Sequence, residues 1–299
     1  ARNDTLPRAT MTDSFALYSE PYDYSQNLMT LDAVYRLFKG TNLKLGYAYE
    51  LMDRDAREVL QTNEQTYKAG IKSNYFSSVS IGFDAMLAKR NETDPYNSTR
   101  VFEERHTQEY INAQLAAGVP RSSLFSDSPL LRRFDVADRE RQKYGTNLTF
   151  APLADTLVGF YYNYKNDEYG QSALGLNSSE SHSFTTDVNY TPSETTSYFA
   201  YFTHDEVFTQ QSSRSFNSAA TSLLATRNWI TNHNDDVNTV GLGVNRGFMR
   251  NKLKLAFDYS LSESTTRINF LTGTDASVAN PANMPDLNTL RHTFKFNSK

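Results

Sequence analysis

The chain has 299 residues, 38% of them hydrophobic, with a mean hydropathy of −0.60. No run approaches the roughly 18 apolar residues of a membrane helix, which excludes a helical membrane protein. The net charge of −4 and pI near 5.8 offer no basic footprint for nucleic acid. The absence of cysteine removes disulfides, thiolate metal sites and the C-x-x-C-H attachment of covalent haem.

With 19 Tyr and 19 Phe the chain is nonetheless strongly aromatic. Polar on average, aromatic and alternating is the composition of an outer-membrane β-barrel, in which half of each strand meets lipid and half meets water. Alternation begins at Met29–Leu37. At Leu43–Leu51, Leu43, Leu45, Tyr47, Tyr49 and Leu51 oppose Lys44, Gly46, Ala48 and Glu50. Tyr67–Tyr75 sets Tyr67, Ala69, Ile71 and Tyr75 against Lys68, Gly70, Lys72 and Asn74. Val79–Leu87 sets Val79, Ile81, Phe83, Ala85 and Leu87 against Ser80, Gly82, Asp84 and Met86.

Gln142–Phe150 opposes Tyr144, Leu148 and Phe150 to Lys143, Gly145, Asn147 and Thr149. Val158–Tyr164 opposes Val158, Phe160, Tyr162 and Tyr164 to Gly159, Tyr161 and Asn163. His182–Tyr190 opposes Phe184, Val188 and Tyr190 to Ser183, Thr185, Asp187 and Asn189. Thr196–Thr203 is ambiguous, because Tyr198, Phe199, Tyr201 and Phe202 put aromatics on both faces. Asp236–Asn245 opposes Val240, Leu242 and Val244 to Thr239, Gly241, Gly243 and Asn245. Leu253–Leu261 opposes Leu253, Leu255, Phe257, Tyr259 and Leu261 to Lys254, Ala256, Asp258 and Ser260, and Leu290–Phe296 repeats the pattern with fewer apolar residues. This predicts about eleven strands, most of about nine or more residues, the length a tilted membrane strand needs.

The connections alternate in length. Short turns fall near Phe38–Thr41, Tyr75–Ser78, Ala151–Asp155, Thr191–Thr195 and Arg246–Asn251. Long ones cover Arg54–Gln65, Arg90–Arg139, Lys165–Ser181, His204–Asp235 and Ser262–Asn288. Short periplasmic turns and long extracellular loops are the asymmetry of an outer-membrane barrel. Aromatics fall at both ends of the apolar row, as girdles require: Tyr67, Tyr144 and Phe184 open strands, while Tyr75, Phe150, Tyr190 and Phe296 close them. A soluble β-sandwich also alternates, but it would bury Leu45, Phe83, Phe160 and Leu255 in one core. The expected fold is all-β, a transmembrane antiparallel up-and-down barrel. The odd strand count and the ending Phe296-Asn297-Ser298-Lys299 give the expectation that residues 1–299 are a segment of one larger barrel.

The residues expected to face a lumen are Lys44, Gly46, Lys68, Gly70, Lys72, Gly82 and Asp84, then Lys143, Gly145, Asp187, Gly241, Gly243, Lys254 and Asp258. Their signs are mixed, so no selectivity ring of one charge is evident. The glycines have two readings: close approach of an enclosed protein, or relief of crowding and easier curvature. His182 and His292 are placed outward near strand ends and His106, His204 and His233 in loops, none at a metal-ligand spacing. Asn166-Asp167-Glu168 and Asp235-Asp236 lack the calcium-loop pattern and read as solvated loop charges. Within the loop 90–139, Val101–Ala117 has helical spacing, stopped by Gly118-Val119-Pro120. No G-x-S-x-G, P-loop, H-E-x-x-H or dinucleotide fingerprint is present, so no enzyme activity is expected.

Several runs, in order, resemble the MtrB/PioB family of decahaem-associated outer-membrane β-barrels. They are Leu31-Asp32-Ala33-Val34-Tyr35-Arg36-Leu37, Leu45-Gly46-Tyr47-Ala48-Tyr49-Glu50 and Asn63-Glu64-Gln65-Thr66-Tyr67. The most specific is the loop run Ser128-Pro129-Leu130-Leu131-Arg132-Arg133-Phe134-Asp135-Val136-Ala137-Asp138-Arg139. Leu174-Gly175-Leu176, Tyr190-Thr191-Pro192, Gly241-Leu242-Gly243 and Met284-Pro285-Asp286-Leu287 follow. The resemblance implies a sheath: a barrel that binds no haem covalently and encloses a periplasmic multihaem c-type cytochrome, with an extracellular multihaem cytochrome docking on the loops. The chain is shorter than that family's barrels and lacks the cysteine pair of some members. A passive porin or solute transporter with a water-filled lumen is the alternative, and a loop-borne adhesin or scaffold a third.

Overall fold

A computed structural model describes residues 23–101, 106–119, 130–215, 224–250, 252–275 and 283–298. The strands are β1 (Tyr24–Phe38), β2 (Thr41–Arg54), β3 (Gln61–Ser73), β4 (Val79–Glu92), the two-residue β5 (Leu131–Arg132), β6 (Arg139–Leu153) and β7 (Thr156–Glu168). They continue as β8 (Leu174–Ser193), β9 (Thr196–Arg214), β10 (Asn228–Phe248), β11 (Leu253–Thr272) and β12 (Leu287–Ser298). All but β5 pair antiparallel with their chain neighbours in one up-and-down sheet, and β5 pairs in parallel with the start of β8. β1 and β12 are its edges.

Each alternating stretch lies inside one of the eleven long strands, with one correction. β3 ends at Ser73, so Tyr75 sits in the following turn, its ring edge-on to Phe76 at 5.2 Å and to Phe38 at 6.1 Å. The expected long connections are also too long. Much of Lys165–Ser181, His204–Asp235 and Ser262–Asn288 is strand, and β8 to β11 run 20, 19, 21 and 20 residues. Alternation reports hydrocarbon on one face. Where a strand leaves the bilayer, both faces meet water and the apolar period stops, while the backbone ladder continues.

The short turns are tied side by side. The amide of Asn74 donates to the carbonyl of Gly40, Ala151 to Ser78, Thr191 to Asp155 and Gly247 to Thr195, at 2.7–2.8 Å. Gly40 has φ +79°, and the wider turn after β10 places Met249 and Arg250 in the left-handed region.

Residues directly opposite in an antiparallel ladder share a face. One face carries Leu45, 51% exposed, Phe83, 44%, and Phe160, 41%, with Leu255 half-exposed. These side chains are not gathered into a water-excluding core, so the sandwich is ruled out. The buried apolar side chains among the described residues are Val59, Ala88, Ile111, Val136, Ala137, Tyr169 and Leu174. All lie at the long-loop end. A protein whose apolar strand faces stay open while its loops are packed is solvated by lipid around the wall.

Candidate functional site

The opposite, polar face is built from cross-strand rows. One row runs Lys44–Gly70–Asp84–Gly145, and the next Asp32–Gly46–Lys68–Met86–Lys143–Lys165. Lys72 pairs with Gly82, Gly241 with Ser260, Gly243 with Asp258, Lys254 with Gly247, and Asp187 with Gly159. The register thus puts all fourteen residues singled out above on this one face. The face bounds a concavity of about 730 Å³ lined from β1 to β8. Ser181 and Ser183 line it while His182 between them does not, which sets the hollow on the lysine side.

The glycines of this face are covered by side chains of the chain itself. A Cβ on Gly46 would lie 2.7 Å from Oδ1 of Asp32, and one on Gly82 2.9 Å from Cγ of Asn147. Tyr201 lies over Gly241, Phe199 over Gly243, and Tyr161 with Asp187 over Gly159. This settles the ambiguity of β9. Tyr198 and Phe202 take the apolar face, whereas Phe199 and Tyr201 fold flat onto glycines of β10. Of the two readings of the glycines, relief of crowding accounts for these contacts.

At the long-loop end the polar face is capped. Residues 54–60 and 130–138 fold against it, and the cap is pinned by side chains of the wall. Arg90, 9% exposed, donates from Nε to the carbonyl of Ala137 at 2.9 Å and from Nη2 to that of Phe134. Arg54 donates to Oγ1 of Thr62 at 2.8 Å and to the carbonyl of Asp135 at 3.3 Å. Arg133 pairs with buried Glu58 at 2.7 Å, and Arg139 with Glu64 at 2.5 Å. Arg141 grips Asp167 through two nitrogens, at 2.5 and 2.9 Å, with Lys165 on the same carboxylate at 2.9 Å. Bidentate, charge-assisted pairs of this kind fix geometry as well as adding energy. Asp94, beyond the end of β4, accepts from the amide of Gln61 at 2.9 Å and pairs with Arg100 at 3.0 Å. Burial would raise its pKa, but the amides of Gln61 and Leu60 and the Arg100 guanidinium outweigh burial and hold the carboxyl below its usual range.

Other expectations need correction here. His204 and His233 lie in β9 and β10 rather than in loops. Asp167 is a buried ion-pair partner, not a solvated loop charge. Asp235 and Asp236 lie in β10, where adjacent residues face opposite sides. His182, on the apolar side, bonds the hydroxyl of Tyr162 at 2.7 Å and Glu180 at 2.8 Å. The helix α1 spans Gln108–Ala116, shorter than Val101–Ala117. Its N-cap Thr107 accepts from the amide of Tyr110, and Gly118 follows at φ +81°. Residues 102–105 and Pro120 lie outside the described residues, as do Ser128 and Pro129 of the loop run. Sequence reasoning missed the cap, although the arginines and aspartates of Leu130–Arg139 were its signal. Among the described residues no group of three or more His, Asp or Glu is placed to hold a metal ion.

Long antiparallel strands, an exposed apolar face with aromatic ends and a polar concave face with a packed loop rim define an outer-membrane β-barrel protein. The sequence profile of the family "Putative outer membrane beta-barrel porin, MtrB/PioB" matches residues 4–299, and the chain belongs to that family. It is a protein of the outer membrane. It is 22% identical over 250 residues to the outer membrane protein MtrB of Shewanella baltica (strain OS185), covering 83% of this chain and 32% of that protein. The chain thus spans about a third of that relative's length. Its fold is similar to the ferric-catecholate import receptor Fiu of E. coli K12. The open form gives a TM-score of 0.54 at 9% identity, covering 93% of this chain and 50% of the receptor. The closed form gives 0.51 at 8% identity, covering 93% and 46%.

Proposed function

We propose that this chain is wall of an outer-membrane sheath that encloses a periplasmic multihaem c-type cytochrome and insulates electron transfer across the membrane. Membership of the MtrB/PioB family supports this reading, and the observation that carries it is the two-sided wall. An apolar outside supplies a low-dielectric boundary, while a polar inside of lysines, aspartates and covered glycines suits a hydrated protein surface. The fourteen polar-face residues would then line the lumen. The edges β1 and β12 each have one partner, and an unpaired edge in hydrocarbon is costly. Further strands are therefore proposed to complete the barrel.

In this reading the chain does no chemistry and binds no haem covalently. The haems of the partner carry the electrons, and the barrel supplies position and insulation. A second, extracellular multihaem cytochrome would dock at the long-loop rim, where residues 54–60 and 130–138 form a packed surface. The porin alternative has the family's description in its favour, but the cap folded over the polar face on β2–β7 counts against an open pore.

Purification from the native membrane without chaotropes tests the two. A haem absorption spectrum that copurifies with the barrel supports the sheath. Ion conductance from purified barrel free of haem, with no haem protein recovered at any stage, overturns it in favour of a porin.

A further inference from the structure

The charges of the polar face change sign along the sheet, and because strand order follows chain order they change along the sequence as well. Below the cap, β2–β7 present Lys44, Lys68, Lys72, Lys143 and Lys165 against Glu50 and Asp84. The neighbouring strands β8–β11 reverse the sign, with Asp187, Asp205, Asp235 and Asp258 against Lys254. The sorting is reinforced by side-chain placement. Asp32 and Asp84 lie flat, each with Oδ1 over a glycine of the adjacent strand, Gly46 and Gly70. Their carboxylates stay on the floor of the concavity, where the Lys68 stem also passes over Gly46. Glu50 is already engaged, accepting from Gln26 at 2.7 Å. Of the five lysines only Lys165 is in an ion pair among the described residues, with Asp167.

We infer that this lysine-walled concavity on β1–β8 is a recognition surface for the acidic flank of the enclosed protein, whose basic flank then faces β8–β11. The inference rests on the sheath reading and deepens it, by fixing the partner's rotational setting in the lumen. A concave, low-dielectric wall of one sign focuses its field. At physiological salt the screening length is about 8 Å, so two walls of opposite sign are sensed locally rather than cancelling across the barrel. Opposed patches of this kind set orientation and exclude wrong registers more than they add raw affinity.

The test uses the full-length barrel in detergent and the triple variant Lys44→Gln/Lys68→Gln/Lys143→Gln. Polyglutamate, polylysine of matched length and inorganic phosphate are the probes, and unaltered heat-modifiability of the variant confirms that it folds. The wild type should bind polyglutamate with an affinity that falls as salt rises, and the variant should bind it roughly tenfold more weakly or worse. Phosphate at equal charge should not compete. Unchanged polyglutamate binding in the variant overturns the proposal, and full competition by phosphate reassigns the hollow to small anions. In the native membrane, any haem protein retained by the wild type should elute from the variant at lower salt. Elution at the same salt counts against the inference while leaving the sheath intact. Absence of haem protein from the wild type overturns the sheath, and the polyglutamate comparison still decides the charge recognition.

Discussion

Arg90 on β4 reaches across the polar face to the carbonyl of Ala137, 47 residues away in sequence, and holds the loop run Leu130–Arg139 against the wall. The contact explains why a loop run with so many arginines and aspartates is packed. Its backbone carbonyls face the wall and take guanidinium donors, while Val136 and Ala137 are buried beneath it. Arg90→Ala should leave two carbonyls without donors and cost the cap about 1.5–3 kcal/mol, the range for a hydrogen bond to a charged group. Limited proteolysis should then cut within residues 130–138 while the barrel strands stay protected. Arg90→Lys should rescue only in part, because one ammonium cannot reproduce the guanidinium fork.

Gly175 is the second pin of the cap. Its φ is +113°, and a Cβ there would collide with the carbonyl of Arg132 on β5. Gly175→Ala should detach β5 from β8, at a cost of about 1–3 kcal/mol. Hydrogen exchange should show faster amides at Leu131 and Leu174, with no change in β10 or β11.

The pairing of Tyr201 with Gly241 predicts non-additivity. Gly241→Ala should destabilise the wall, because the new methyl meets the Tyr201 ring. Combining it with Tyr201→Ala should cost less than the two single changes summed, giving a coupling of about 0.5–3 kcal/mol in urea unfolding. Strict additivity would show that the ring does not use the glycine's space.

Leu45 lies on the exposed apolar face, between the Tyr47–Tyr67 ring pair and the short turns. Leu45→Arg should destabilise the barrel by about 2–4 kcal/mol in lipid, the penalty for arginine near the bilayer midplane. Lys44→Arg, one residue away on the polar face, should change stability by less than about 0.5 kcal/mol. Equal effects of the two would refute the assignment of faces.

Asp94 gives the cap an acid limit. Its folded pKa lies below the unfolded carboxylate value near 3.9. The stabilisation is therefore present above the unfolded value and is lost as pH falls through the folded one. Cap proteolysis followed from about pH 6 to pH 2 should rise steeply at the acid end, and Asp94→Asn should flatten that rise.

The two faces of the wall were legible because side-chain direction in a strand repeats every two residues, and one face needs hydrocarbon-compatible groups. Leu45 against Lys44 or Phe83 against Asp84 carries that information in adjacent letters. Where the period lapses, legibility lapses with it. The strand stretches holding His204 and His233 read as loop, and the aromatics of Thr196–Thr203 left β9 without a face.

What the amino-acid order determined by itself was the membrane wall: eleven strands, their faces and their short turns, all consequences of a two-residue period acting locally. Only the tertiary structure decided the rest. It laid Tyr201 on Gly241, carried Arg90 to Ala137, and set Asp32 and Asp84 across Gly46 and Gly70 of the adjacent strands. These relations join residues on neighbouring strands or distant loops, and no local period encodes which side chain will lie across which backbone.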